Sequence, residues 1–212
     1  MTIKGVIFDL GGVVVEWSNS KTYRYIEDIY GIPAEEFKRI ADLGMPDTQS
    51  GRTSEEDWMR ATFKHFGDPP IGYINIWEKT FAEACFNEQV LELINGLKYR
   101  GYKVVALSNI EPSRGRWLRQ RRIDDYFNIV IFSYEVGLRK PDLPDDTRYG
   151  EIYELTLCRL GMESHECLFI DDNSNCLMAA EAVGIKTILF ENVAQLKIEL
   201  FKRGVDWNAS PS

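Results

Sequence analysis

Five short apolar runs recur along the chain, at Gly5–Phe8, Val104–Leu107, Ile129–Phe132, Leu168–Ile170 and Thr187–Phe190, each bounded by polar or glycine-containing turns. Apolarity that is continuous rather than alternating, at strand length, predicts strands buried on both faces, as in a parallel sheet. Between the runs the spacing becomes helical. Leu91, Ile94 and Leu97 precede Gly101; Ile152, Leu155 and Leu160 precede Gly161; Met178, Ala179, Ala182 and Val183 precede Gly184. Each is a stripe closed by a C-terminal glycine. Strands alternating with helices predict an α/β fold built on a doubly wound parallel sheet.

Trp17 to Glu88 interrupts this alternation with helix signals and no convincing strand. Tyr23, Ile26 and Tyr30 share a face before Gly31, and Phe37, Ile40 and Ala41 follow Pro33. Thr53 with Glu56 has the spacing of a capping box ahead of Trp58, Ala61 and Thr62. Beyond Pro69-Pro70, Ile74, Trp77, Phe81 and Ala84 form a fourth stripe. The expected organisation is therefore an α/β core from residues 1–15 and 89–212, with an inserted helical module over residues 16–88. Trp58 and Trp77 are expected in the core of that module.

Composition narrows the function. With 44% hydrophobic and 27% charged residues the chain is an ordinary globular one. A formal charge of -8 argues against nucleic acid as the partner, because phosphate backbones are held by clustered Lys and Arg. The basic run Arg114, Arg116, Arg119, Arg121 and Arg122 reads as a solvated helix face. Cys85, Cys158, Cys167 and Cys176 lack metal spacing and are expected as reduced thiols in or near the core. His65 has no partner at metal spacing. No stretch is long and apolar enough to span a bilayer, and the opening residues do not resemble a signal peptide, so a cytoplasmic protein without a membrane partner is expected.

In open α/β sheets ligands bind beyond the carboxyl ends of the strands, so the residues following each apolar run carry the candidate chemistry. Asp9 follows the first run, Ser108 and Asn109 the second, and Asp171 and Asp172 a later one, while Lys140 lies in a loop after a further strand. Three carboxylates, a lysine and a hydroxyl at one rim suit a magnesium-bound phosphate. Mg²⁺ takes hard oxygen ligands and is commonly shared between one or two carboxylates and a substrate phosphate. Lysine and serine can hold the other phosphate oxygens, and a carboxylate can act as nucleophile.

Ile-Phe-Asp-Leu-Gly-Gly-Val-Val-Val (7–15), Ala-Leu-Ser-Asn (106–109), Gly-Leu-Arg-Lys-Pro-Asp (137–142) and Phe-Ile-Asp-Asp-Asn (169–173) resemble, in order and separation, the four motifs of the haloacid dehalogenase superfamily. The helical insertion stands where that family carries its small mobile cap. The resemblance implies a phosphatase acting on a small phosphorylated metabolite, a sugar phosphate first among them, with Mg²⁺ as cofactor. It makes Asp9 the nucleophile and a metal ligand, with the Gly11 carbonyl, Asp172 and Asp171 completing the metal set. Ser108, Asn109 and Lys140 would bind the phosphate.

Gly11 departs from the commoner pattern, in which a second aspartate there serves as general acid and base, a role worth roughly 10²–10⁴-fold in rate. A subgroup similar to the bacterial glucose 1-phosphate phosphatases also reads Asp-Leu-Gly. Lacking that acid, the chain is expected to favour leaving groups that need little protonation, anomeric or aryl oxygens over primary alcohols. Leu143–Gly150 is a second departure, a loop added after the third motif. Three alternatives stay open: a phosphomutase, a dehalogenase attacking carbon, and a catalytically silent binding protein.

Overall fold

The structure, a computed structural model, describes residues 2–17, 19–73, 81, 83–141 and 150–208. Among them the strands are β1 (Gly5–Phe8), β2 (Val15–Glu16), β3 (Cys85–Phe86), β4 (Lys103–Ser108), β5 (Ile129–Phe132), β6 (Cys167–Asp171) and β7 (Lys186–Leu189). Five of these form one parallel sheet in the order β5-β4-β1-β6-β7. All five expected runs are present, Gly5–Phe8 and Ile129–Phe132 with the expected bounds and the other three with ends displaced by one residue.

Side chains alternate along each strand and so build two cores. Val6, Phe8, Val104, Ala106, Leu168 and Ile170 face one side; Ile7, Val105, Leu107, Ile131 and Phe169 face the other. The first side is covered by α4 (Glu88–Tyr99), α5 (Pro112–Gln120) and α9 (Val193–Lys202), the second by α7 (Glu151–Leu160) and α8 (Ser174–Ala182). Between β5 and α7 lies the single turn α6 (Ser133–Val136). In α4 the Asn87 side chain accepts from the Val90 N–H, and Val90, Leu91, Leu93, Ile94 and Leu97 are buried. Burying such an aliphatic side chain is worth about 1.5–3 kcal/mol before ordering costs. In α8 the buried face is Cys176, Leu177, Ala179 and Ala180, which corrects the expected stripe: Met178 is 50% exposed and Ala182 also faces out. Small residues dominate this helix, so its apolar periodicity is weak in the sequence.

The segment between β2 and β3 contains α1 (Asn19–Tyr30), α2 (Ala34–Gln49) and α3 (Glu55–Lys64). Tyr23, Ile26, Phe37, Ala41, Trp58, Met59 and Phe63 are buried together, with Phe37 and Phe63 ring centroids 5.0 Å apart. Trp58 is in the core as expected, its Nε1–H donating to the Ala41 carbonyl at 2.9 Å. The cap of α3 lies one residue later than read: Ser54, not Thr53, accepts from the Asp57 N–H at 3.0 Å. Ile74 and Trp77 of the fourth stripe lie outside the described residues, as do 142–149 of the third motif and the added loop; Phe81 is buried. The antiparallel ribbon of β2 with β3 stands at the two ends of the segment and was not expected, since two-residue strands carry no periodicity. Cys167 and Cys176 are buried thiols, but Cys85 and Cys158 are exposed, contrary to the expectation for all four. No described helix is long and apolar enough to cross a membrane.

Candidate functional site

Sheet register brings the candidate residues together. Phe8 pairs with both Ala106 and Ile170, so Asp9, one step further, stands level with Asp171, and the Asp9 N–H donates to the Ile170 carbonyl at 2.9 Å. Ser108 ends β4 and Asp171 ends β6. The Asp171 side chain meets Lys140, which arrives from the loop after α6, and Ser108 lines with them a cleft of about 150 Å³ shared by Asp9, Gly11, Asn109 and Asp172. All seven residues singled out in the sequence therefore share one site.

The charges in this cleft are buried and paired. Lys140 Nζ donates to Asp9 Oδ1 at 2.5 Å and to Asp171 Oδ2 at 2.6 Å. Asp9, Lys140 and Asp171 are at most 6% exposed, so each ion depends on its neighbours rather than on water. Burial pushes the Asp9 carboxyl up to about 7, Lys140 pulling it down while Asp171 and Asp172 add to the rise. Burial works against the Lys140 charge, but Asp171 and Asp9 outweigh it and hold the amine well above its ordinary range. Asp172 is raised too, by burial and then by Asp171.

Asp171 has both oxygens engaged, Oδ2 with Lys140 and Oδ1 with the Asn173 N–H at 2.8 Å, just ahead of α8. Asn109 is likewise committed: its Nδ2 donates to the Lys140 carbonyl at 2.8 Å and its Oδ1 accepts from the Lys140 N–H at 2.7 Å. That two-point clasp fixes the backbone that carries the buried amine.

The carboxylates of Asp9, Asp171 and Asp172 each offer an oxygen within 4.8 Å of the others. An all-oxygen, multiply acidic set fits a hard divalent cation. The loop after β1 closes on this set. Gly12 has φ +75°, and a Cβ there would stand 2.1 Å from Asp172 Oδ2, so only glycine lets the turn pass so near the carboxylate.

Two residues in the cleft were assigned otherwise or left open by sequence reasoning. Arg114, read as part of a solvated face, is buried and lines the cleft, whereas Arg116, Arg119, Arg121 and Arg122 are exposed as expected. Arg114 shares the i, i+3, i+4 face of α5 with Trp117 and Leu118, and that spacing was the available signal. Trp17 is half-buried and also lines the cleft, and a Cβ on Gly11 would meet its Nε1 at 3.1 Å. His65 is exposed, with its ring edge-on to Phe66.

A family profile described as haloacid dehalogenase-like hydrolase matches residues 3–184. The chain is 27% identical over 190 residues to a sesquiterpene phosphatase of Aspergillus oryzae, covering 87% of this chain and 88% of that one. It is 25% identical over 211 residues to the D-ribitol-5-phosphate phosphatase of Bacteroides thetaiotaomicron, covering 93% and 97%. Among solved structures, a HAD family enzyme from Bacteroides thetaiotaomicron in complex with magnesium and inorganic phosphate is similar in fold, with a TM-score of 0.73 at 23% identity, over 92% of this chain and 98% of that one.

Proposed function

Because the chain belongs to the haloacid dehalogenase-like hydrolase family, we propose that it is a magnesium-dependent phosphatase of a small phosphorylated metabolite, a sugar phosphate first among them, working through an aspartyl phosphate on Asp9. The observation that carries this reading is the buried Asp9 carboxylate, ion-paired to Lys140 at 2.5 Å beside two further carboxylates. The phosphatase names of its relatives support it.

Asp9 supplies the attacking oxygen. Lys140 opposes the burial that raises the Asp9 carboxyl, and with the Ser108 hydroxyl it holds phosphate oxygens as charge redistributes. Asn109, which the sequence suggested as a phosphate ligand, serves by fixing Lys140 through its backbone. Asp9, Asp172 and the Gly11 carbonyl would hold Mg²⁺, with Asp171 assisting from behind Lys140. Bound there, the cation would neutralise phosphoryl oxygens and favour attack by an anionic nucleophile.

Residues 16–88 form the cap and residues 1–15 with 89–212 the catalytic domain in this reading. The β2/β3 ribbon is the hinge, and the cap excludes water from the cleft while phosphorus is attacked. In the arrangement described, the cap is docked: Glu55 accepts from Ser113 N–H at 3.0 Å and from its hydroxyl, and Arg139 donates to Gln49 at 3.0 Å.

The test is a phosphate-release assay over a panel of phosphorylated metabolites, with and without Mg²⁺, using Asp9→Asn as the blank. Release that requires both Mg²⁺ and Asp9 is expected. Activity that survives chelation would overturn the reading in favour of attack on carbon, and no release from any ester would overturn the enzymatic role.

A further inference from the structure

Gly11 removes the usual acid and base, yet the space beside it is filled. A side chain at position 11 would begin 3.1 Å from the indole nitrogen of Trp17 and 3.5 Å from two ring carbons. Behind that ring lies Arg114, its guanidinium carbon 4.9 Å from the Trp17 ring centroid and 5.6 Å from that of Phe81. Glu111, fully buried at the N-cap of α5, places Oε1 3.1 Å from Arg114 Nε. Both Trp17 and Arg114 line the same cleft as Asp9. A buried cation locked between two aromatic faces and a carboxylate is an oriented donor, since its rotamer is set before any substrate arrives.

Resting on the phosphatase reading above, we propose that Trp17 and Arg114 form the leaving-group wall of this site, replacing a proton donor with fixed hydrogen-bond donors. Because these donors do not protonate the departing oxygen, the site turns over phosphate esters of weakly basic oxygens, anomeric or aryl, in preference to those of primary alcohols. Asp9 forms a bond to phosphorus as the bond to the leaving oxygen breaks, and the electron pair of the broken bond stays on that oxygen. The indole N–H and the guanidinium donate to the resulting oxyanion, which then takes a proton from water. Water next attacks the phosphorus of the aspartyl phosphate, gives its proton to the hydroxide left by the first transfer, and releases phosphate with the Asp9 carboxylate restored. The net reaction consumes one water per ester. Because Glu111 balances the Arg114 charge, the wall offers directed donors without an excess cation. That favours a neutral leaving group over one bearing a second phosphate or carboxylate. Trp17 also explains why glycine stands at position 11: any side chain there would crowd the indole.

Fixed donors and proton donors differ in their dependence on the leaving group. Removing an oxyanion donor costs about 10²–10³-fold where charge accumulates most and little where the leaving group stabilises itself. The experiment compares kcat/KM for phenyl phosphate, para-nitrophenyl phosphate and matched sugar 1- and 6-phosphates in the wild type, Arg114→Gln and Trp17→Phe. Because Arg114→Gln strands a buried Glu111, an Arg114→Gln/Glu111→Gln double variant is included. Ratios between substrates within one preparation do not depend on the folded fraction.

Wild type is expected to prefer the sugar 1-phosphate to the 6-phosphate. The Arg114 variants should lose about 10²-fold on phenyl phosphate and the sugar 1-phosphate but less than about tenfold on para-nitrophenyl phosphate. Trp17→Phe should follow the same pattern more weakly. An active wild type with a uniform loss across all substrates, with no loss, or with a preference for the 6-phosphate overturns the wall and leaves the phosphatase reading standing. A wild type that releases no phosphate overturns that reading and the wall with it.

Discussion

In the rim at the carboxyl ends of β1, β4 and β6, Asp9, Ser108, Lys140 and Asp171 are polar yet buried, and register and mutual ion pairs hold them in place. In the helical segment between β2 and β3, aromatic side chains hold α1, α2 and α3 to one another and continue into the apolar core on one face of the sheet, and polar ties such as Glu55 to Ser113 and Gln49 to Arg139 add to that contact. The first arrangement cannot shift by an ångström without stranding a buried charge. The buried carboxylates and lysine thus sit at the rim of the sheet, and in the proposed reading the helical segment is the part that admits substrate.

Substitutions can break this contrast, the largest effect first. Asp9→Asn keeps the shape but removes the proposed nucleophile, and turnover should fall below about one per cent of wild type with the fold retained, as read by phosphate release and circular dichroism. Activity above that level would show that the nucleophile lies elsewhere. Asp172→Ala removes a donor from the proposed metal site, which has few protein ligands, so the Mg²⁺ concentration for half-maximal rate should rise at least about tenfold. An unchanged metal titration would mean that the cation is held without it. Asn109→Ala unclasps the Lys140 backbone, and kcat/KM should drop roughly tenfold through loss of positioning. A variant indistinguishable from wild type would show the clasp to be dispensable.

The smallest effect tests the helical side of the comparison. Burial raises the Glu55 carboxyl above its usual range against the pull of its Ser113 hydrogen bonds, so its charge is held at a cost when the segment is docked. Glu55→Gln should change melting stability by only about 1 kcal/mol. It should also increase protease access to the β2/β3 junction. Equal access in both proteins would mean that this tie does not hold the segment down.

The sheet and the rim were legible in the sequence because both rest on short-range signals. Continuous apolar runs name the strands, and polar residues directly after them, Asp9, Ser108 and Asp171, name the site. Asn109 was found like Ser108, directly after an apolar run, and Lys140 mainly through its motif, but the clasp between them joins residues 31 apart and leaves no local trace. Arg114 was misassigned because charge dominated the reading of its helix, and its burial depends on Glu111, Trp17 and Phe81 meeting in space. In α8, small residues flattened the pattern. The β2/β3 ribbon is too short for any period to be read.

The central claim is covalent, and a covalent measurement tests it most directly. The Mg²⁺-loaded protein is mixed in excess with an aryl phosphate, quenched in acid within the first turnover and digested for mass spectrometry. The account predicts a peptide containing Asp9 that is heavier by one phosphoryl group, absent from Asp9→Asn and lost as the reaction proceeds. Phosphate release without any phosphorylated Asp9 peptide, or a phosphoryl group carried on another residue, would contradict it.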